Sequence, residues 1–167
     1  MRLKHMRRVL IAVILAFTAG WVLSSVSPFA VASEQPFSFF FGQAPEIASP
    51  SDHVKQEDIH IFRDGVELKI KNTFFASYTD TNSMDPFLDK GANGIEIVPD
   101  SPAQIQEGDI ISYKTQYARG ITVHRVIKKG FDEDGVYFIV KGDNNISADP
   151  GKIRFDQVHG LLVGIIY

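Results

Sequence analysis

The sequence predicts a mainly β protein, with a single N-terminal transmembrane helix followed by one mostly antiparallel β domain with long loops. Residues 9–26 form an uncharged stretch that is long enough to cross a bilayer. After residue 59, short stretches of alternating polar and apolar residues recur between turn signals, and no long helical period is present. The 167 residues leave room for one such domain, and a hydrophobic content of 44% allows a packed core.

Charge is distributed unevenly along the chain. The first eight residues contain four basic and no acidic side chains, so the formal net charge of −3 leaves −7 on the other 159 residues. Nucleic-acid binding needs clustered Lys and Arg, so the acidic body argues against a nucleic-acid partner. The chain contains no cysteine, which excludes disulfides and thiolate chemistry.

The apolar N-terminal stretch has two interpretations. Basic residues precede residues 9–26 and none follows closely, which predicts a single-pass anchor with a cytoplasmic N terminus and the body outside the plasma or equivalent export membrane. A basic start, an apolar run and Ala30-Val31-Ala32 also fit a cleavable secretory signal. The run is longer than the roughly 7–15 residues usual for a signal peptide, which favours the anchor. Both interpretations predict that the body is exported.

Three segments follow from these patterns. Residues 1–32 comprise the basic N terminus and anchor, residues 33–56 a Pro- and Phe-rich linker or membrane-surface segment, and residues 57–167 the β domain. The prolines of the middle segment forbid a continuous helix or central strand. Its phenylalanines, Phe37 and Phe39 to Phe41, fit contact with the bilayer interface and fit packing onto the domain equally well.

The strands of the β domain are predicted from residue 59 onward. Residues 59–62 and 66–70 flank Arg63-Asp64-Gly65 and predict a β-hairpin. In its first strand, His60 is expected to be structural or exposed. Turn signals separate six further predicted strands, at residues 74–78, 94–98, 110–115, 121–128, 136–141 and 160–167.

Two residues could act as nucleophile and base, although each also has a structural explanation. Ser83, three residues before Pro86, could simply cap a turn. His124 lies in a predicted strand whose alternation places it on one face with Thr122 and Val126, where a histidine could equally be a core residue.

Two aspartates follow in the polar loop after the next strand. Asp143 and Asp149 fit turn chemistry, and the loop has too few acids for a calcium site. Together with Ser83 and His124, however, they provide the residue types that nucleophilic catalysis by a serine requires. A serine hydroxyl needs a base within hydrogen-bond reach, histidine titrates near neutral pH, and a carboxylate can fix the histidine tautomer.

Four stretches of the sequence resemble the signal peptidase I family. They are Asn-Ser-Met-Asp-Pro at 82–86, Glu-Gly-Asp-Ile-Ile at 107–111, Val-His-Arg-Val-Ile at 123–127, and Lys-Gly-Asp-Asn-Asn at 141–145 with Asp149 beyond it. The resemblance is to the archaeal and endoplasmic-reticulum branch, because His124 stands where the bacterial branch has a lysine. It covers residues 81–167 and the anchor. About 55 residues separate the anchor from Ser83, more than is typical of the family.

The resemblance implies a β fold of the signal-peptidase type and a membrane-bound serine endopeptidase that removes signal peptides from exported preproteins. Ser83 would then be the nucleophile, and His124 the general base and later the acid. Asp149 would orient His124, and Asp143 matches the family's other functionally important aspartate. How the two aspartates divide the work is left open.

Further implications concern the surroundings of the serine. Thr81 matches a position where bacterial relatives supply a hydroxyl to the oxyanion, and Met84 would line a pocket for small substrate side chains. Neither a metal nor an organic cofactor is implied. The expected partners are signal-peptide-bearing preproteins and membrane lipid, and the sequence does not decide whether accessory subunits are needed. Two alternatives are a non-catalytic exported β-domain binding protein and a self-cleaving repressor-type serine protease.

Overall fold

The computed structural model describes residues 46–167. Residues 47–167 form one compact unit, which is the one described below. The predicted anchor at 9–26, the Ala30-Val31-Ala32 site and the phenylalanines at 37–41 lie outside the described residues. Within residues 46–167, no helix combines the length and the hydropathy needed to cross a membrane.

Antiparallel strands make up the described part of the chain. The strands are β1 (Ile59–Ile61), β2 (Val66–Leu68), β3 (Thr73–Ser77), β4 (Asn93–Ile97), β5 (Ile110–Lys114), β6 (Ile121–Asp132), β7 (Gly135–Lys141), β8 (Ile153–Arg154) and β9 (Val158–Ile166). β1 and β2 form a two-stranded sheet, and the other seven form one sheet in the order β3-β4-β9-β5-β6-β7-β8. The predicted class, mainly β and mostly antiparallel, is confirmed for residues 46–167.

The predicted hairpin and the six other predicted strands are all present, with ends that differ by a few residues. β6 continues to Asp132, because it forms a long hairpin with β7 that a bulge near Val126 interrupts. β8 was not predicted, since its two residues, Ile153 and Arg154, are too few to show an alternation.

The core consists of two clusters of buried apolar side chains. Ile111 and Leu161 belong to the first cluster, whereas their chain neighbours Ile110 and Leu162 belong to the second. Because successive side chains of a strand point to opposite faces, the clusters cover the two faces of the central sheet. The full membership of the first is Ile105, Ile111, Tyr113, Val126, Phe138, Val140, Ile153 and Leu161, and that of the second is Met84, Leu88, Ile110 and Leu162.

Candidate active site

His124 and Asp149 form a hydrogen-bonded pair. His124 lies in β6 opposite Ile111 of β5, and its Nδ1 is 2.9 Å from Asp149 Oδ2. Their side chains are 8% and 16% exposed. Asp149 reaches this position because its backbone N–H donates to the carbonyl of Val140, which brings the polar loop back onto β7. The structure therefore brings together two of the candidate catalytic residues, His124 and Asp149.

Tyr113 completes the pair as a third member. Its ring is fully buried, and its hydroxyl donates to Asp149 Oδ2 and lies 3.3 Å from His124 Nδ1. Burial, followed by the hydrogen bond to Asp149 and the charge of that carboxylate, raises the pKa of Tyr113 well above its usual range. The tyrosine thus remains a hydrogen-bond donor at any pH at which the protein would work.

The same network determines which nitrogen of His124 carries the proton. Asp149 Oδ2 accepts hydrogen bonds, so the neutral imidazole donates to it from Nδ1. Nε2 is then left with a free lone pair, which is the form that a general base requires.

Ser83 is held by its backbone at the end of β7. The N–H of Asn144 donates to the carbonyl of Ser83 over 3.0 Å, and the Asn144 side-chain amide donates to the carbonyl of Asn82 over 2.9 Å. A Cβ on Gly142 would lie 2.5 Å from the Ser83 carbonyl oxygen, so only glycine allows this approach. β7 lies next to β6, which carries His124. The Ser83 backbone is therefore positioned one strand away from the strand of the histidine.

The hydroxyl of Ser83 contacts a different partner. Ser83 Oγ and Thr81 Oγ1 are 3.3 Å apart, and within residues 46–167 no hydrogen bond joins Ser83 to His124. Contacts between a nucleophile and its base are often long or misaligned in the absence of substrate. Thr81 is exposed, and its hydroxyl lies beside the serine oxygen.

Met84 connects Ser83 to the core. It is 3% exposed and packs in the second cluster, and its sulfur accepts the backbone N–H of Asp143 over 3.4 Å. Leu88 closes the turn by bridging to Met84. Packing of Met84 and the contacts at Asn144 hold Ser83 from both sides.

The carboxylate of Asp143 bonds to Arg125, and within residues 46–167 no hydrogen bond joins it to His124. The carboxylate accepts two hydrogen bonds from Arg125, one from Nε over 2.7 Å and one from Nη2 over 2.6 Å, which makes the pair bidentate. The side chains of Arg125 and Asp143 are 10% and 11% exposed, respectively. Arg125 also donates to the carbonyl of Gly108 over 2.7 Å. The two aspartates therefore occupy separate networks: Asp149 bonds to His124, whereas Asp143 fixes the loop whose backbone contacts Ser83 and Met84.

A further buried carboxylate, Asp109, ties the start of the described chain to this region. Its side chain is completely buried and accepts hydrogen bonds from the backbone N–H groups of Ser51, over 2.7 Å, and Gln106, over 2.8 Å. His53 Nε2 lies 3.0 Å from the same carboxylate. The Ala48 carbonyl accepts a longer bond from Arg125, at 3.4 Å. We call residues 48–53 the N-terminal strap, because they contact Asp109 and Arg125 next to the candidate site.

A cavity of about 630 Å³ opens beside Ser83. Residues of β3, of the loop from Tyr78 to Leu88, and of the start of β6 line it, together with three polar side chains from the central sheet. The lining residues include Phe74, Phe75, Ala76, Ser77, Tyr78, Thr79, Thr81, Ser83, Met84, Leu88, Glu96, Ser112, Ile121, Thr122, Val123 and His159. Met84, although packed in the second cluster, is among the residues that line this cavity.

The floor of this cavity is polar. Glu96 is 1% exposed, and its carboxylate accepts hydrogen bonds from the hydroxyls of Ser112, over 2.5 Å, and Tyr78, over 3.2 Å. Burial, followed by the charge and hydrogen bond of Glu96, raises the pKa of Tyr78 above its usual range, so this hydroxyl also stays a donor. Gly160 gives room for the cluster, since a Cβ there would lie 2.3 Å from Glu96 Oε2.

Four of these residues were not singled out in the sequence. Arg125 and Asp109 lie inside stretches 123–127 and 107–111, which resemble signal peptidase I, so the resemblance could have drawn attention to both positions. Their hydrogen-bond partners could not be identified in this way, because they are distant in sequence. No sequence pattern distinguishes Tyr113 and Glu96, because both look like ordinary strand residues.

Comparisons with known proteins add no relative: no family model, no curated protein and no solved structure matches the chain. In residues 46–167 there is no group of three or more His, Asp or Glu side chains arranged to hold a metal ion.

Proposed function

We propose that the protein is a membrane-anchored serine endopeptidase that removes signal peptides from exported preproteins, with Ser83 as nucleophile and His124 as base. The main support is the pair of His124 and Asp149, with Tyr113 as a second donor to the carboxylate, because this arrangement leaves Nε2 of the imidazole free to take a proton. The resemblance of the matched stretches to signal peptidase I supplies the substrate class.

In this mechanism His124 Nε2 takes the proton of Ser83 as its oxygen attacks the scissile carbonyl. Asp149 stabilises the imidazolium that forms, and the imidazolium then protonates the leaving amine. The Thr81 hydroxyl and the backbone N–H of Ser83 would stabilise the oxyanion. Water, activated in the same way, releases the acyl group and regenerates the serine.

The substrate would bind in an extended conformation along the cavity. β3 is at the end of the sheet order, paired only with β4 in the described chain, so its outer edge is available for an added strand. Residues 74–77 of this strand line the same cavity as Ser83. A peptide paired there would bring alternate side chains into the cavity.

The experiment is cleavage of a preprotein with an Ala-x-Ala junction by the full chain in lipid vesicles. Ser83→Ala and His124→Ala should each reduce kcat by at least about 10³-fold, as the loss of a nucleophile or base does in serine proteases. Ser101→Ala is the matched control, because Ser101 makes no side-chain capping bond and should leave kcat unchanged. Retained cleavage by either site variant would refute the mechanism.

One observation favours the non-catalytic alternative, a β-domain binding protein. The Ser83 hydroxyl bonds to Thr81 and not to His124. The same assay separates the two functions, because a binding protein would leave the preprotein uncut with every variant. Loss of cleavage in His159→Ala with retention in His124→Ala would instead assign the base to His159, which, unlike His124, is among the residues that line the cavity beside Ser83.

A further inference from the structure

The β1–β2 hairpin presents an apolar face to solvent. Its register pairs Ile59 with Leu68 and Ile61 with Val66, which places these four side chains on one face. They are 40%, 38%, 79% and 63% exposed, respectively. Phe62, at the turn, is 56% exposed, and its ring stacks on that of His60 from the opposite face. We call the four aliphatic side chains, together with Phe62 at the tip of the hairpin, the hairpin face.

The polarity of this hairpin is the reverse of that expected for a strand pair at the surface of a soluble domain. The polar side chains of the opposite face are His60 and Glu67, and His60 is the half-buried one. The hairpin is a sheet of its own, separate from the seven-stranded sheet. Two-stranded hairpins are only marginally stable in water, and a contiguous exposed apolar face marks a binding surface.

The chain itself indicates which surface is within reach. The uncharged stretch that predicts an anchor ends at residue 26, and 32 residues separate it from Ile59. Because the predicted anchor and the hairpin belong to one chain, a bilayer that holds the anchor would be presented to the hairpin at a high effective concentration. A second copy of the chain would have no such advantage.

The composition of the hairpin face also suits lipid. Aliphatic side chains with an aromatic ring at the tip are typical of segments that rest in the interface of a bilayer. The two charges next to Phe62, on Arg63 and Asp64, are at the turn and can remain among the headgroups.

We propose that the hairpin face inserts into the interface of the membrane that carries the anchor. This proposal rests on the membrane-anchored part of the proposed function and is independent of the peptidase part. Insertion would fix the orientation of the domain on the membrane at a second point, in addition to the anchor. It would also explain why so many residues separate the anchor from Ser83, since this stretch contains the hairpin.

The test uses single-cysteine variants, which are clean because the natural chain has no cysteine. Phe62→Cys and Ile61→Cys introduce a thiol on the hairpin face, and Asp134→Cys introduces one in the turn between β6 and β7, where the side chain is 83% exposed. Each full-length variant carries an environment-sensitive fluorophore and is reconstituted in phosphatidylcholine–phosphatidylglycerol vesicles. Residues 61 and 62 are both exposed, so neither label replaces a buried side chain.

Labels at 61 and 62 should emit at shorter wavelength than the label at 134. They should lose most of their intensity to nitroxide-bearing lipids and little to aqueous iodide, with the opposite result at 134. Quenching by iodide at 62 equal to that at 134 would overturn the proposal. A label that is shielded from iodide but not quenched by lipid nitroxide would also overturn it, and would indicate cover by another segment of the chain or by a second copy.

The same labels on Ser83→Ala separate this proposal from the enzymatic one. The quenching pattern should be identical with and without the serine, because insertion involves no catalytic step. If preprotein cleavage fails in every variant while the labels at 61 and 62 are quenched by lipid, the peptidase proposal is wrong and membrane insertion stands.

Discussion

Tyr113→Phe tests whether the candidate site depends on a residue that only the structure reveals. The substitution keeps the fully buried ring and removes one donor from Asp149 Oδ2, leaving His124 Nδ1 at 2.9 Å as the remaining partner. A hydrogen bond to a charged acceptor contributes about 1.5–3 kcal/mol, equivalent to roughly 10- to 150-fold in an equilibrium or rate. Loss of the aspartate function itself costs about 10⁴-fold in serine proteases, so this partial loss must be smaller.

We therefore expect kcat for the Ala-x-Ala preprotein to fall about 10- to 100-fold. KM should remain unchanged, because Tyr113 does not line the cavity beside Ser83. The control is Tyr137→Phe. Tyr137 lies in β7, its ring centroid is 4.3 Å from Lys152 Nζ, and its hydroxyl makes no hydrogen bond within the described residues. An unchanged kcat in Tyr113→Phe would refute a positioning role for the hydroxyl.

The pH dependence of stability provides a second measurement on the same variant. The native pKa of Tyr113 is raised above its unfolded value of about 10, so its stabilisation is complete below that pH and declines as the pH rises further. Unfolding midpoints of the natural protein should therefore fall more steeply above pH ~10 than those of Tyr113→Phe. Parallel curves would contradict the burial and hydrogen bonding of this hydroxyl.

Three further predictions concern other residues. Thr81→Val should lower kcat about 10²-fold with little change in KM, since it removes an oxyanion donor and keeps the shape; an unchanged kcat would exclude that role. Asp143→Asn should lower the free energy of unfolding by about 3 kcal/mol, because Arg125 loses its charged partner, whereas Asp149→Asn should reduce kcat far more; equal losses of kcat would contradict separate roles. Hydrogen bonds from Arg154 and Lys152 lower the pKa of Asp132. The stability that these bonds provide is therefore present above pH ~4 and is lost as the pH falls. In urea unfolding, the free energy of unfolding of Asp132→Asn should decline less at acidic pH than that of the natural protein.

The strands could be predicted from the sequence because alternation and turn residues are local signals. From the residues themselves, His124 and Asp149 could be anticipated only as suitable residue types, because no local pattern indicates that the loop after β7 returns to β6. Their specific pairing was implied by the resemblance to signal peptidase I. Tyr113 could not be anticipated. Its role depends on the register of β5 against β6, in which it pairs with Thr122, and alternation leaves the register open.

The buried carboxylate Asp109, which lies next to the site, could not be predicted from the sequence for a different reason. Asp109 follows a glycine turn, and its sequence neighbourhood indicates only the start of a strand. Its partners Ser51 and His53 are more than fifty residues away and lie in a stretch without periodicity. Buried carboxylates of this kind are recognised by their hydrogen-bond donors, which only the folded chain brings together.

The N-terminal strap determines where this folding unit can be cut. A truncated protein that begins at residue 57 would lack the N–H of Ser51 and the imidazole of His53, leaving the fully buried Asp109 with Gln106 as its only remaining described donor. A buried carboxylate that loses its partners costs several kcal/mol, a large share of the total stability of a domain of this size. Soluble forms intended for crystallisation or screening should therefore start before Ala48, even though residues 46–55 contain neither a strand nor a helical turn.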